Sequence, residues 1–165
     1  MNRPSPPARI RTDVHPGDIG AVIRLHGTVY AEEHGFDHTF EPYVAIPLGE
    51  MIIRGSDRER IWIVETNDGI GGSIAIVENS PHLAQLRWLI LHPDLRGQSL
   101  GRRLIQEAIS FSKGRGYKQI FLWTLNILPP ATRLYQSEGF RLTEEKTHRL
   151  WGRMLTEERY DLDLD

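Results

Sequence analysis

The chain has 165 residues, 39% hydrophobic and 25% charged, with 20 Lys and Arg against 22 Asp and Glu for a net charge of −2. That length suits one domain burying roughly two-thirds of its unfolded surface, and the composition is that of a globular protein rather than a disordered one. The near-neutral balance gives no general electrostatic reason to bind nucleic acid, no apolar run nears the roughly 20 residues of a membrane-spanning helix, and the lack of cysteine excludes a disulfide framework and thiol catalysis and suits the cytoplasm.

Residues 1–7, polar and proline-rich, read as a flexible tail without a secretory signal, and residues 8–165 as a single domain. Residues 8–14 alternate as a first strand, with Ile10 predicted inward and the arginines outward. Pro16-Gly17-Asp18 is a helix start. Ile19, Val22, Ile23, His26, Val29 and Tyr30 follow at helical spacing to about Glu33, and Gly35 breaks the segment. A second helix is predicted from near Thr39, carrying Phe40, Tyr43, Val44, Leu48, Met51 and Ile52. Pro42 fits its first turn, whereas Pro47 is expected to kink or split it.

After Gly55-Ser56-Asp57 the period becomes two. Residues 60–65 read as a strand, Asn67-Asp68-Gly69 as a hairpin turn, residues 72–77 as the third strand and 83–91 as the fourth. Leu100, Leu104, Ile105, Ala108 and Ile109 then form the apolar stripe of a third helix, with Arg103, Gln106, Glu107 and Lys113 facing water. Gly114 and Gly116 end it. Residues 119–124 are predicted as a fifth strand and 130–138 as a short helix capped by Gly139. Residues 140–147 and 154–164 close the chain as two strands.

One stretch, LRWLILHPDLRGQSLGRRL over residues 86–104, carries most of the chemistry. An apolar strand ends at His92-Pro93, a small-residue loop follows, and a helix opens at Leu100-Gly101. The first amides of a helix have no intrahelical acceptor, and the aligned peptide dipoles favour an anion there. Gly97, Ser99 and Gly101 leave the backbone open to phosphate oxygens, and Arg96, Arg102 and Arg103 surround the opening with positive charge. This is a diphosphate cradle. It lacks the Gly-Lys-Ser/Thr ending that grips β- and γ-phosphates and magnesium, which disfavours a nucleoside triphosphate.

The run Pro93-x-x-Arg96-Gly97-x-Ser99-Leu100-Gly101-Arg102-Arg103-Leu104 resembles the acetyl-CoA loop of the Gcn5-related N-acetyltransferases (GNAT), whose motif is Gln/Arg-x-x-Gly-x-Gly/Ala. Arg96 and Gly101 match, and Ser99 stands where the middle glycine is usual, a substitution that fits if its φ is negative. The element order β-α-α-β-β-β-α-β-α-β-β is also the family's, so the resemblance spans residues 8–164. It implies an α+β fold with a mixed, mostly antiparallel twisted sheet of about seven strands and four helices. The likeness is closest to the acetyltransferase domain fused to MarR-type regulators, through Tyr30-Ala31-Glu32-Glu33-His34-Gly35-Phe36-Asp37 and Leu122-Trp123-Thr124, with no winged-helix segment present.

This resemblance implies acetyl-CoA in a gap between the fourth and fifth strands. The main chain of Leu89, Ile90 and Leu91 would pair with pantetheine, while Arg96, Gly97, Gln98, Ser99, Leu100, Gly101 and Arg102 hold the pyrophosphate. Asn126 would reach the pantetheine arm, with Leu134 and Tyr135 against the cofactor. Tyr135 sits in Ala131-x-x-x-Tyr135-x-x-x-Gly139-Phe140, similar to the family's Ala-x-x-x-Tyr-x-x-x-Gly-Phe signature, in which the phenol protonates the departing thiolate. A phenol of pKa about 10 keeps its proton beside a thiol of about 8.5 and can donate it; the competing reading is a packing residue beside Leu134.

The general base stays open. Some members use a glutamate on the fourth strand, but Ala84-Gln85-Leu86-Arg87-Trp88 holds no acid, which leaves Glu32, Glu33, Asp37 or a water chain, with Trp123 lining the acceptor pocket. His34 and His38 are four apart, but the break at Gly35 spoils their geometry, and no metal is expected. Trp62, Trp88, Trp123 and Trp151 read mostly as strand residues. The expected activity is transfer of acetyl from acetyl-CoA to a primary amine by direct attack in a ternary complex; the alternative is a non-catalytic acyl-CoA sensor or partner-binding module. Exposed strand edges allow a homodimer.

Overall fold

The computed structural model describes residues 7–165, so the tail expected over residues 1–7 lies outside the described residues, apart from Pro7. In chain order the elements are β1 (Arg9–Arg11), α1 (Asp18–His34), α2 (Phe40–Arg54), β2 (Arg60–Thr66), β3 (Gly69–Ser80) and β4 (Leu83–Leu91). A 3-10 turn (Pro93–Leu95) leads to α3 (Leu100–Gly114), β5 (Gln119–Leu125), α4 (Pro129–Ser137), β6 (Arg141–Leu150) and β7 (Arg153–Asp163). The strands form one seven-stranded sheet in the order β1-β2-β3-β4-β5-β7-β6. Its pairs are antiparallel except β4 with β5, which run parallel. The α+β class and its mostly antiparallel sheet are as expected.

The period of two on β2 decides the layering. Trp62 and Val64 join Leu104, Ile105 and Ala108 of α3 in a core on one face of the sheet. Ile61 and Ile63 point the other way, against Val22 of α1 and Phe40, Val44, Leu48 and Met51 of α2. A strand covered on both faces has no polar side to spare, which is why Ile61 to Val64 are all buried. Trimming a fully buried residue such as Ile63 or Leu104 to alanine costs about 2–5 kcal/mol.

Three local expectations are corrected. Pro47 does not split α2, which runs unbroken from Phe40 to Arg54. The hydrogen bond lost at an interior proline costs about 3 kcal/mol, and burial of Val44, Leu48 and Met51 on both sides of it holds the helix together. On β1 the arginines do not all face outward. Arg11 is buried, its Nη1 and Nη2 donating to the two carboxylate oxygens of Asp18 at 2.7 and 2.9 Å and its Nε to Glu65 at 2.8 Å. The Asp18 carboxylate opens α1 and also accepts from the His15 amide at 2.6 Å, so the cation follows its counter-charge inward while Ile10 is only partly buried. Finally, β3 extends to Gly69–Ser80, longer than predicted at both ends.

Candidate active site

β4 and β5 pair only at Leu83–Gln85 with Gln119–Phe121. Beyond that point they part, and residues 86–91 and 122–125 line a cavity of about 710 Å³ whose other walls come from α1, α2, α4 and the β4–α3 loop. That size lies within the range of small-molecule sites. The parting coincides with a bulge: Arg87 faces Ala75 and Ile90 faces Ser73, one residue too many on β4, and Trp88 takes φ 52°. A bulge bends its strand and re-aims side chains. The left-handed backbone of a bulky residue costs about 1–2 kcal/mol, and the buried Ser73 hydroxyl, donating to the Trp88 carbonyl at 2.7 Å, fixes it.

The loop that follows makes the mouth of the cavity. The Asp94 amide donates to Nδ1 of His92 at 3.1 Å, which sets the 3-10 turn, and Leu95 is buried beneath it. Gly97 has φ 78° and Ser99 has φ 62°, so the negative φ on which the fit of a serine was conditioned is not the one it takes. The serine takes up the left-handed conformation the usual glycine would supply. The first bond of the α3 ladder is Arg103 N–H to Ser99 O at 3.1 Å. The amides of Leu100, Gly101 and Arg102 therefore have no intrahelical acceptor. A Cβ on Gly101 would lie 3.1 Å from Cδ2 of Leu134, so glycine is what lets α4 close on this turn.

Two of the three cations expected to ring the loop, Arg96 and Arg102, are paired. Arg96 forms a two-point ion pair with Glu33 at 2.7 and 2.6 Å and also donates to the Leu91 carbonyl at 3.2 Å. That pair raises the guanidinium pKa and holds the Glu33 carboxyl below the usual range. Arg102 pairs with Glu138 at 2.7 Å. Exposed pairs of this kind are worth about 0–1 kcal/mol, little enough for a diphosphate to displace.

Of the residues singled out from the sequence, Leu89, Ile90, Leu91, Arg96, Gly97, Ser99, Leu100, Gly101, Arg102, Leu134, Tyr135, Glu33 and Trp123 line the cavity. Gln98, Asn126, Glu32 and Asp37 are not on its wall. Gln98 turns its amide to the Asp94 carbonyl at 3.3 Å. Asn126 accepts the Thr156 N–H at 3.2 Å, tying β5 to β7 instead of facing the cleft. Asp37 accepts from the backbone N–H of Thr39 at 3.0 Å and from its hydroxyl, so it serves the start of α2. Tyr135 is buried, which pushes its phenol well above the ordinary tyrosine value; Tyr30 beside it is pushed up to about 12.

At the far end of the cavity one residue differs from the sequence reading. Trp151 is not a strand residue: with φ 48°, followed by Gly152 at φ 89°, it forms the tight turn between β6 and β7. Two left-handed residues in succession match the twist of a hairpin. The indole packs 5.1 Å from the Phe36 ring, 4.9 Å from Phe40 and 5.0 Å from Tyr43, centroid to centroid. Two hydrogen bonds to main-chain carbonyls fasten this turn to the α1–α2 loop: the Asp37 N–H to Trp151 O at 3.1 Å, and the Arg153 side-chain Nη1 to His34 O at 2.6 Å.

His26 is the second residue missed. Its Nδ1 donates to the Val22 carbonyl at 2.8 Å, leaving Nε2 as a buried lone pair with no partner, and burial lowers its pKa to about 4. The ring is therefore neutral at pH 7 and lines the cavity. Its signal was its place in the apolar stripe of α1, where an imidazole must find partners for both nitrogens. Trp88 Nε1–H, on the same cavity, is likewise buried without a partner. Among the described residues no group of three metal-ligating side chains occurs.

Comparison with known proteins agrees with this architecture. Residues 57–142 match the family model for the acetyltransferase (GNAT) domain. An uncharacterized N-acetyltransferase of Schizosaccharomyces pombe is 32% identical over 121 residues, covering 72% of this chain and 74% of that protein. Human N-acetyltransferase 8B is 29% identical over 99 residues, covering 57% of this chain but only 44% of its own length. The fold matches yncA from Salmonella typhimurium, solved with its cofactor acetyl-CoA, at a TM-score of 0.77 and 18% identity, over 96% of this chain and 94% of that one. The chain thus belongs to the GNAT acetyltransferase family, a class of acetyl-CoA-dependent acyltransferases.

Proposed function

We propose that this protein transfers the acetyl group of acetyl-CoA to a primary amine, both substrates being held in the cavity at once. The observation that carries the reading is the cradle of unpaired amides at Leu100–Arg102, opening into a cavity that Tyr135 and Trp88 also line. The chain's groups fit such a donor. The start of α3 presents N–H groups and a helix dipole to a diphosphate, with Gly97, Ser99 and Arg96 beside it. The stretch of β4 that has parted from β5, residues 86–91, offers one edge of its main chain to the amides of a pantetheine arm. Hydrogen bonds to a charged acceptor are each worth about 1.5–3 kcal/mol.

Bound there, the thioester supplies an activated acetyl carbon. A C–N bond forms to the neutral amine and the C–S bond breaks. Tyr135 is protonated at working pH because burial disfavours its phenolate. Its hydroxyl hands a proton to the departing sulfur as it takes one, directly or through water, from the nitrogen, so the phenol ends the cycle as it began it. Glu33 is the one carboxylate of the original candidates that reaches the cavity, and it is committed to Arg96. The likeness at residues 30–37 and 122–124 supports a place within the family near the MarR-fused domain. Residues 8–165 act as one unit in this reading. The exposed outer strand β6 supports pairing with a second copy, and a chain without cysteine suits the cytoplasm.

Release of free CoA thiol, followed in time with and without a panel of primary amines, tests the proposal. Amine-dependent release is expected. Saturable acetyl-CoA binding with no turnover on any amine would establish a sensor instead.

A further inference from the structure

At the end of the cavity opposite the loop, Arg87 of β4 is half-buried and forms no ion pair among the described residues. Its guanidinium lies 4.7 Å above the Trp88 ring and 5.9 Å from the ring of Tyr43, and burial lowers its pKa, opposed only by Tyr43. A guanidinium stays charged in proteins, and a desolvated charge without a counter-charge is costly. The neighbouring Trp88 Nε1–H is a second donor without an acceptor, on a side chain 8% exposed. Two adjacent donors thus line the cavity: an indole N–H with no acceptor and a guanidinium whose polar neighbour is the Tyr43 phenol rather than a carboxylate.

The opposite polarity is present on the same cavity. Glu157 of β7 lines it, its side chain 17% exposed and paired with His148 at 2.6 Å. The buried lone pair on His26 Nε2 adds a neutral acceptor. Phe40, Tyr43 and Trp151 pack together as an aromatic wall of the same cavity. A ligand complementary to this end carries an anion and an amine on an apolar body.

We propose that the acceptor is an amine that also bears a carboxylate, an amino-acid-type zwitterion, whose carboxylate is received by Arg87 and the Trp88 indole N–H. This rests on the acetyl-transfer reading above and names its substrate class. Arg87 is then a specificity-determining residue. It touches the part of the acceptor that does not react, so its loss acts on binding rather than on the chemical step.

Paired substrates test this: phenylalanine, leucine and lysine, each against its decarboxylated counterpart (phenethylamine, isopentylamine, cadaverine), at matched concentrations of free amine and with CoA release as readout. At least one acid is expected to be used about ten- to a hundredfold better than its counterpart, the worth of one or two charge-assisted hydrogen bonds. Arg87→Gln should erase that preference through KM for the acid, leaving kcat and the KM for acetyl-CoA within about twofold, and Arg87→Lys should restore part of it. A merely structural role would move acetyl-CoA and both members of each pair alike.

Equal use of acid and counterpart by the parent protein, or a preference that survives in Arg87→Gln, overturns the inference and leaves acetyl transfer standing. No turnover on any amine, with acetyl-CoA bound in calorimetry, overturns both.

Discussion

The two ends of the cavity are built by different means. The end proposed for the donor is one contiguous segment, residues 93–102, whose unpaired groups are main-chain amides at the start of α3. The end proposed for the acceptor draws side chains from α1, α2, β4, β7 and the β6–β7 turn, among them His26, Tyr43, Arg87, Glu157 and Trp151. Amide directions follow from the dihedrals of consecutive residues, so the first kind of site is a local property of the chain. The second exists only once strands far apart in sequence have paired. One fold can therefore keep its donor while changing its acceptor.

The largest effect that would confirm this division is at Gly101. Gly101→Asp places a carboxylate among the phosphate-facing amides and a Cβ 3.1 Å from Leu134. CoA affinity by calorimetry should fall about a hundredfold or more, with far-ultraviolet circular dichroism unchanged. Preserved affinity would remove the donor end from the loop. Next comes the junction of the two ends: Tyr135→Phe should lower kcat about a hundredfold while KM for acetyl-CoA stays within about twofold. If kcat holds, the proton reaches sulfur by another route.

A change distant from both ends should weaken them equally. Asp18→Asn leaves the buried Arg11 guanidinium with Glu65 as its one carboxylate partner and should cost about 3 kcal/mol in urea unfolding. Arg11 holds the Asp18 carboxyl below its ordinary value in the folded state. The pair therefore contributes fully above the ordinary carboxylate range, and its contribution fades as pH falls through the lowered folded pKa. The stability gap between parent and variant should accordingly narrow on acidification, and a gap independent of pH would mean the pair is not what the variant removes. The smallest effect is Ser99→Gly, which relieves a left-handed serine and should stabilise the fold by about 0.5–1 kcal/mol, with CoA affinity unchanged. A loss of affinity would show that the hydroxyl itself reaches the phosphate.

The same division explains what was legible in the sequence. The bounds of β4 and the start of α3 follow directly from Leu83–Leu91 and Leu100, because apolar run, loop and amphipathic stripe are all local. Even there the sign of φ at Ser99 stayed open, since residue type alone does not say which turn the loop closes with. Asp37 and Asn126 lie off the cavity wall for a different reason. Short polar side chains next to element ends satisfy nearby backbone before they reach a ligand, and neither alternation nor spacing reveals that. Arg11 and Trp151 were misplaced because their partners, Asp18 in one case and the Phe36–Phe40–Tyr43 rings in the other, belong to different elements. The bulge at Trp88 left no mark at all in the apolar pattern of β4, yet it sits where β4 leaves β5.

The two ties that clamp the β6–β7 turn to the α1–α2 loop both end on peptide carbonyls, those of Trp151 and His34. A roof pinned this way keeps its height whatever side chains hang from it at positions 34 and 151. Descendants of this protein can therefore exchange the ceiling ring at Trp151, widening or narrowing the chamber for a new guest, without rebuilding the rafters.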